Sequence, residues 1–247
     1  MKIVTLNLRH DADRWSERYP LVVKALARQN ADVIAFQEVA IPIRQAHMIA
    51  AELNGEQPYA VHVQPKWGNQ GHEGIAVLTR LAATVVEGLN LPHGSRVAQR
   101  VRVIIDGQAV NIINTHLHHE PENDESIRAP QARAILQWIN RCAEQADNQR
   151  WVLLGDFNAQ PHSETIQHIA ESFQSAYAMC HSMEPLTFPT PLVADETYPP
   201  MAIDYIFFNP SGFEVLNAHM IGTKAADHDP TLYPSDHFGL AAELRLK

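Results

Sequence analysis

Cysteine is scarce in this chain: Cys142 and Cys180 are the only two in 247 residues. They supply no disulfide framework, and their scarcity favours a reducing compartment. Long apolar runs are missing as well, and no stretch approaches the roughly 18 apolar residues that a membrane-spanning helix needs. The opening Met1-Lys2-Ile3-Val4-Thr5-Leu6-Asn7 reaches polar residues too soon for a secretory signal. These shortages predict a cytoplasmic protein without an integral membrane segment. Neither Cys₂His₂ nor His-Glu-x-x-His spacing occurs, which argues against structural and protease-type zinc sites. There is also no Gly-x-Ser-x-Gly elbow and no P-loop. The most informative shortage is of positive charge. The formal net charge is -9, and no lysine or arginine occurs between residues 151 and 223. Only Lys224, Arg245 and Lys247 follow. Proteins that grip duplex DNA neutralise several phosphates with basic side chains, so duplex DNA is an unfavoured partner for this chain.

The apolar fraction of 45% and charged fraction of 19% are those of an ordinary globular protein. The length suits one large α/β domain over 1–247, with no repeat, low-complexity tract or domain boundary. Trp151-Val152-Leu153-Leu154 is apolar enough for a buried strand and too short for a typical helix. Gly155 lets the backbone turn, and alternation then puts Asp156 and Asn158 on the same side.

Similar polar exits recur elsewhere. Residues 2–8 read as a strand ending at Asn7, and 32–36 as a strand delivering Gln37-Glu38-Val39. Strands are also expected at 59–64, 74–79, 101–105 and 109–115, the last two joined by the hairpin signal Asp106-Gly107. The second delivers His116, with His118 on the same side. Further strands are expected at 202–208, 213–221 and 238–246, the last preceded by Asp236-His237. Helices are expected within 13–29, with Pro20 near the start, and at 42–53 and 163–173. A polar break at 120–126 precedes a long helix running to about Asp147, with Pro130 in its first turn. The Pro-rich stretch 181–200 reads as a binding loop. This succession predicts two packed mixed or antiparallel sheets with helices outside.

The strand ends collect Asn7, Glu38, His116, Asp156, Asn158, Asp204, Asp236 and His237. Oxygen donors such as Glu38, Asp236 and Asn7 suit a hard cation such as Mg²⁺, which binds through one or two carboxylates plus water and phosphate. Asp204 is a charge inside an apolar strand and needs a partner, for which His237 is the candidate. Taken singly, each residue has a plain structural role: a strand cap, a surface histidine, a salt bridge.

The blocks Thr5-Leu-Asn7, Gln37-Glu38-Val39, Gly74-Ile-Ala-Val-Leu-Thr-Arg80, Asn114-Thr-His116-Leu, Gly155-Asp156-Phe-Asn158, Ile203-Asp204-Tyr205 and Ser235-Asp236-His237 are specific as an ordered set. Through them the chain resembles the endonuclease/exonuclease/phosphatase superfamily, and the resemblance spans nearly its whole length. The run Asn7-Leu8-Arg9-His10-Asp11, with Arg14-Trp15 and Arg18, is similar to a bacterial subgroup of metal-dependent hydrolases. The resemblance implies a DNase I-like four-layer α/β sandwich and metal-dependent phosphoester hydrolysis. It implies that Glu38 holds Mg²⁺, for which Mn²⁺ substitutes, with Asn7 and Asp236 at or just outside the first shell. Asp156 and Asn158 would then handle the attacking water, and His116 and His237 would donate to phosphoryl oxygens. Asp204 would fix the ring of His237. Arg128, Gln131 and Arg80 are expected to be structural. The favoured substrate is a small nucleotide-type or lipid-headgroup phosphodiester or phosphomonoester. The alternatives are a repair-type DNA nuclease and a catalytically inactive binding scaffold.

Overall fold

β1, β7 and β8 end in Asn7, His116 and Asp156 at one edge of the molecule, and the topology explains why. The computed structural model describes residues 1–68, 71–119, 124–146, 150–193 and 198–247. Parts of the expected loops at 65–71, 120–126 and 181–200, and the helix end at Asp147, lie outside these residues.

The chain begins with β1 (Lys2–Asn7), α1 (Trp15–Ala27), β2 (Val33–Ala40), α2 (Gln45–Leu53), β3 (Ala60–Pro65) and β4 (Glu73–Thr79). It continues with β5 (Ala83–Asn90), β6 (Val97–Ile105), β7 (Gln108–His116), α3 (Glu125–Ala146) and β8 (Trp151–Asp156). The last third holds α4 (Glu164–Ala170), β9 (Gln174–Ser175), α5 (Ala176–His181), β10 (Asp204–Phe208), β11 (Phe213–Ile221) and β12 (Gly239–Leu246). The strands form two six-stranded sheets, ordered β11-β12-β1-β2-β4-β3 and β5-β6-β7-β8-β10-β9. Each sheet has one parallel pair, β1 with β2 and β7 with β8, joined through α1 and α3. All other pairings are antiparallel.

Alternation along the strands divides their side chains between layers. Ile3, Val33, Ala35 and Val77 of the first sheet meet Val101, Val110, Ile112, Val152, Leu154 and Ile206 of the second. The opposite face of the first sheet, with Val4, Leu6, Ile34 and Phe36, is covered by Val22 and Leu26 of α1 and Ile49 of α2. Ile113, Leu153 and Phe207 are covered likewise by Ile135 and Trp138 of α3 and Ile166 of α4. The expected sandwich is therefore the observed fold, in four layers. Burial on both faces explains why β2 and β8 read as continuous apolar runs. Each fully buried aliphatic side chain contributes on the order of 1.5–3 kcal/mol.

A polar bridge also crosses the sandwich beside the shared edge. Gln37 Nε2 donates to Asn114 Oδ1 at 2.7 Å, and Asn114 Nδ2 donates to the carbonyls of Phe36 and Ala76. Both side chains are buried yet paired, so the bridge fixes one sheet against the other.

Several sequence expectations need correction. Neither Pro20 nor Pro130 lies in the first turn of its helix; α1 begins at Trp15 and α3 at Glu125, five residues ahead of each proline. The carbonyls that lose a partner are those of Ser16 and Ser126, both on exposed residues, so water-facing positions absorb the break. The helix α2 starts at Gln45, after a turn that places Arg44 in the left-handed region. The edge strand β5 was not expected; its solvent-facing, weakly alternating sequence gives little signal.

Candidate active site

The two parallel pairs deliver Asn7, Glu38, His116 and Asp156 to the common edge. Antiparallel neighbours add their opening residues: register sets Asp204 directly across from Asp156, and Glu73 across from Ala40. Gly155 makes the exit of β8 possible. Its φ is +134°, and a Cβ there would lie 2.0 Å from the Thr115 carbonyl oxygen, so only glycine fits. Glu38 projects from a bulge between Phe36 and Val39 with φ +51°, a conformation that re-aims its side chain toward the site.

Asn7 sits between two carboxylates. Its Nδ2 donates to Glu38 Oε1 at 3.1 Å and to Asp156 Oδ2 at 2.9 Å. Its Oδ1 accepts from the Arg9 amide at 2.9 Å. The second Asp156 oxygen accepts from the Asn158 amide at 2.9 Å, and Asn158, at φ +49°, donates its side-chain N–H to the Leu117 carbonyl. Asp236 accepts from Ser235 Oγ at 3.0 Å and from the Arg9 guanidinium at 2.5 Å.

The two site histidines are held differently. His237 Nδ1 lies 2.8 Å from Asp204 Oδ2, while the other Asp204 oxygen is buried without a partner among the described residues. Burial alone would lower the pKa of His237, but Asp204 and Asp236 outweigh it and raise that pKa well above the usual imidazole range. His116 accepts at Nδ1 from the Arg96 guanidinium at 2.9 Å, and its Nε2 lies 3.5 Å from Asp156 Oδ2. Burial first, and then the cations Arg96 and Lys66, push its pKa well below the usual value. Burial and the neighbouring Asp204 raise the Asp156 carboxyl to about 7. Burial and Asp236 also raise Glu38.

A cavity of about 490 Å³ opens over these groups. Glu38, His116, Asp156, Asn158, Asp236 and His237 line it, as do Arg9, Lys66, Glu73, Arg96, His119 and Gln160. Phe188, Tyr198, Met201 and Ile203 form an apolar wall. Phe188 packs on His237 with ring centroids 4.8 Å apart, and on Tyr198 at 5.3 Å. The segment bearing Phe188 is tied to the site by Thr187, whose Oγ1 accepts from the amides of Ile203 and Asp204 at 3.2 Å each.

All eight residues singled out in the sequence thus converge, seven of them on the cavity or its rim and Asp204 behind His237. His118, expected beside His116, does not line the cavity; after Leu117 bonds back to Asp156, its amide donates to Gln131 on α3. His119 takes that place. Arg128 and Gln131 brace the loops around the site, and Arg80 stacks on Tyr59 at 4.4 Å. Lys66, Glu73 and Met201 carried no local signal in the sequence. Register would have found Glu73, because it opens the strand beside Glu38.

Burial is the larger cause of the raised pKa values of Asp156 and Glu38, and the neighbouring carboxylates of Asp204 and Asp236 add to it. Glu38 has one oxygen on Asn7, and the other has no partner among the described residues. Glu38 with His116 and Asp156 forms a cluster whose ligand atoms lie within 4.8 Å of one another, and Asp156, Asp204 and His237 form a second. Within the first cluster the carboxylate oxygens, and above all the second oxygen of Glu38, suit a hard divalent cation, whereas His116 has its Nδ1 on Arg96.

The sequence profile of the Endonuclease/Exonuclease/phosphatase family matches residues 4–237. The chain belongs to this family. Membership makes it a metal-dependent phosphoric ester hydrolase. No curated protein matches it by sequence. Among solved structures, the human Nocturnin catalytic domain with bound sulfate is 21% identical at a TM-score of 0.80, covering 100% of this chain and 94% of that one. The Bacteroides thetaiotaomicron mannosyl-6-phosphatase Bt3783 is 19% identical at a TM-score of 0.81, covering 99% of both chains. ANGEL2, a 2',3'-cyclic phosphatase in complex with adenosine-2',3'-vanadate, is 17% identical at 0.79, covering 99% and 95%. At these identities the likeness is one of fold. No helix among the described residues is long and apolar enough to cross a membrane.

Proposed function

We propose that the chain is a Mg²⁺-dependent hydrolase of a small phosphoester whose alcohol portion carries a ring or other apolar face, as in a nucleotide or a lipid headgroup. The observation that supports this reading is the mixed lining of the cavity, in which carboxylates and histidines lie beside Phe188, Tyr198, Met201 and Ile203. Its volume suits a small ligand. Glu38 would hold the ion, with Asn7 and Asp236 at its edge. Bound there, the ion supplies polarisation of a phosphoryl oxygen and stabilisation of the leaving alkoxide.

The remaining chemistry belongs to side chains. Asp156, raised to about 7, is matched to accepting a proton from water near neutrality, and Asn158 holds its second oxygen in place. His237, cationic on Asp204, donates from Nε2 to a phosphoryl oxygen as charge develops. His116 donates from its own Nε2 on the facing side. Asn7 keeps Glu38 and Asp156 at a fixed separation through its bridging amide.

The competing reading, a repair-type DNA nuclease, is disfavoured by the lack of lysine and arginine between residues 151 and 223. A third reading, an inactive scaffold, leaves no reason for a polar set this complete. Phosphoesters screened with Mg²⁺ and Mn²⁺, alongside duplex DNA binding as a function of salt, test the assignment. Turnover of a small diester or monoester with weak duplex binding is expected. Submicromolar duplex affinity with a steep salt slope, or efficient plasmid nicking, overturns it in favour of the nuclease.

A further inference from the structure

Four arginines are buried among the described residues: Arg18, Arg96, Arg100 and Arg128. Three of them end on structural partners. Arg18 donates to the carbonyls of Leu8, Ala12, Asp13 and Pro234, among others, and so stitches the 8–13 loop to the segment before Asp236. Arg100 bonds Asn111 and Glu87, and Arg128 bonds Glu125 and the His118 carbonyl. Arg96 differs, because both of its bonds go to ring nitrogens beside the cavity. One terminal nitrogen donates to His116 Nδ1 at 2.9 Å and the other to His119 Nδ1 at 3.0 Å. It is 4% exposed, lines the cavity, and forms no ion pair with a carboxylate of the described residues.

We propose that Arg96 is a positioning residue that fixes both histidines as neutral Nε2–H donors, and that its own charge is completed by an oxyanion entering the cavity. A guanidinium has five donors and no acceptor, so each Nδ1 facing it must present a lone pair. The proton of each neutral ring then sits on Nε2. For His116 that N–H is aimed at the carboxylate cluster, 3.5 Å from Asp156 Oδ2 and 3.9 Å from Glu38 Oε1. His116 is thereby a donor and not a base. The other tautomer would set N–H against N–H. Lysine cannot replace the fork, since one compact ammonium does not span two rings in a plane. The guanidinium keeps N–H groups beyond the two it spends on the rings. A buried cation without a carboxylate on it is costly until an anion arrives, which suits a phosphoryl group.

The nature of that anion rests on the phosphoester reading; the tautomer assignment does not. Nitrogen NMR of the imidazoles in the metal-free wild-type protein at neutral pH tests the assignment directly. His116 is expected to carry its proton on Nε2 with Nδ1 bare. Protonation of His116 on Nδ1 would overturn the proposal, whatever the variants do. In Arg96→Met the fixed tautomer should be lost, affinity for inorganic phosphate should fall about 10-fold, and turnover should fall roughly 10–100-fold. In Arg96→Ala, added guanidinium ion should restore part of the loss and methylammonium should not. Unchanged tautomers and unchanged phosphate affinity in Arg96→Met would equally sink it. The expected wild-type spectrum in a protein that turns over no phosphoester supports the role of Arg96 while removing the phosphoester reading.

Discussion

His116 and His237 each form part of the cavity wall, and the two rings are nearly equal in burial at 3% and 5% exposure. Both lie near Asp156, with Nε2 at 3.5 and 3.9 Å from its Oδ2. Their protonation is nevertheless opposite. Behind His116 stands a guanidinium, so the ring stays neutral; behind His237 stands the Asp204 carboxylate, so the ring is charged. Burial disfavours the cation at both positions; at His116 the cations Arg96 and Lys66 add to it, and at His237 the carboxylates Asp204 and Asp236 outweigh it. Two identical side chains thus give the site a neutral donor and a cationic donor over a shared carboxylate.

Removing the shared carboxylate should have the largest effect. Asp156→Asn keeps the shape but cannot take a proton, and kcat should fall on the order of 10²–10⁴-fold. Steady-state kinetics with the best phosphoester found would check this, and a fall under 10-fold would take Asp156 out of the proton-handling role. Asp204→Asn comes next, because it makes the His237 wall resemble the His116 wall. The pKa of His237 should drop, kcat should fall roughly 10–100-fold, and the alkaline limb of the pH–rate profile should move to lower pH. A limb that stays in place would mean that the two residues are not coupled.

Phe188→Ala strips the apolar wall beside His237 without touching His116. About a 10-fold rise in KM is expected for ring-bearing phosphoesters, in line with the loss of one buried aromatic contact worth about 1.5 kcal/mol. Inorganic phosphate inhibition should not move. Thr187→Val acts on the same wall through stability alone. It leaves the Ile203 and Asp204 amides unpaired, and about 1–3 kcal/mol should be lost in denaturant titration.

The smallest effect separates the histidines by the sign of their linkage in the metal-free protein. His237 has a raised folded-state pKa, so its contribution is full below the unfolded value of about 6.5 and is lost as pH rises through the folded value. His116 has a lowered one, so its contribution is full above about 6.5 and is lost as pH falls. Tm profiles of His237→Gln and His116→Gln should therefore converge on wild type at opposite ends of the pH range. Parallel profiles would show that the two walls do not differ in charge.

Much of this was legible beforehand, for a simple reason. Residues at the ends of apolar strands are marked by contrast, and Asn7, His116, Asp156 and Asp204 stand there, while Glu38 interrupts the apolar run of β2. What was not legible arrives from other strands or from turns. Glu73 reaches the site through antiparallel register, and Lys66 through the partner strand. Arg96 lies just before β6 and shows its role only through its bonds to two rings. His119 replaces His118 because the chain leaves strand alternation at Leu117. The helix starts were misjudged because an exposed carbonyl tolerates a proline behind it, which sequence pattern does not reveal.

The order of strands has a consequence for how the site is assembled. β1 lies between β2, its near neighbour in sequence, and β12, with which register pairs Lys2 to Glu243. Until that distant pairing forms, β1 has one open edge, and the face that Leu240 and Ala242 complete is unfinished. Asp236 and His237 lead directly into β12. Closing the first sheet and bringing the cationic histidine to the cavity are therefore one long-range event in folding.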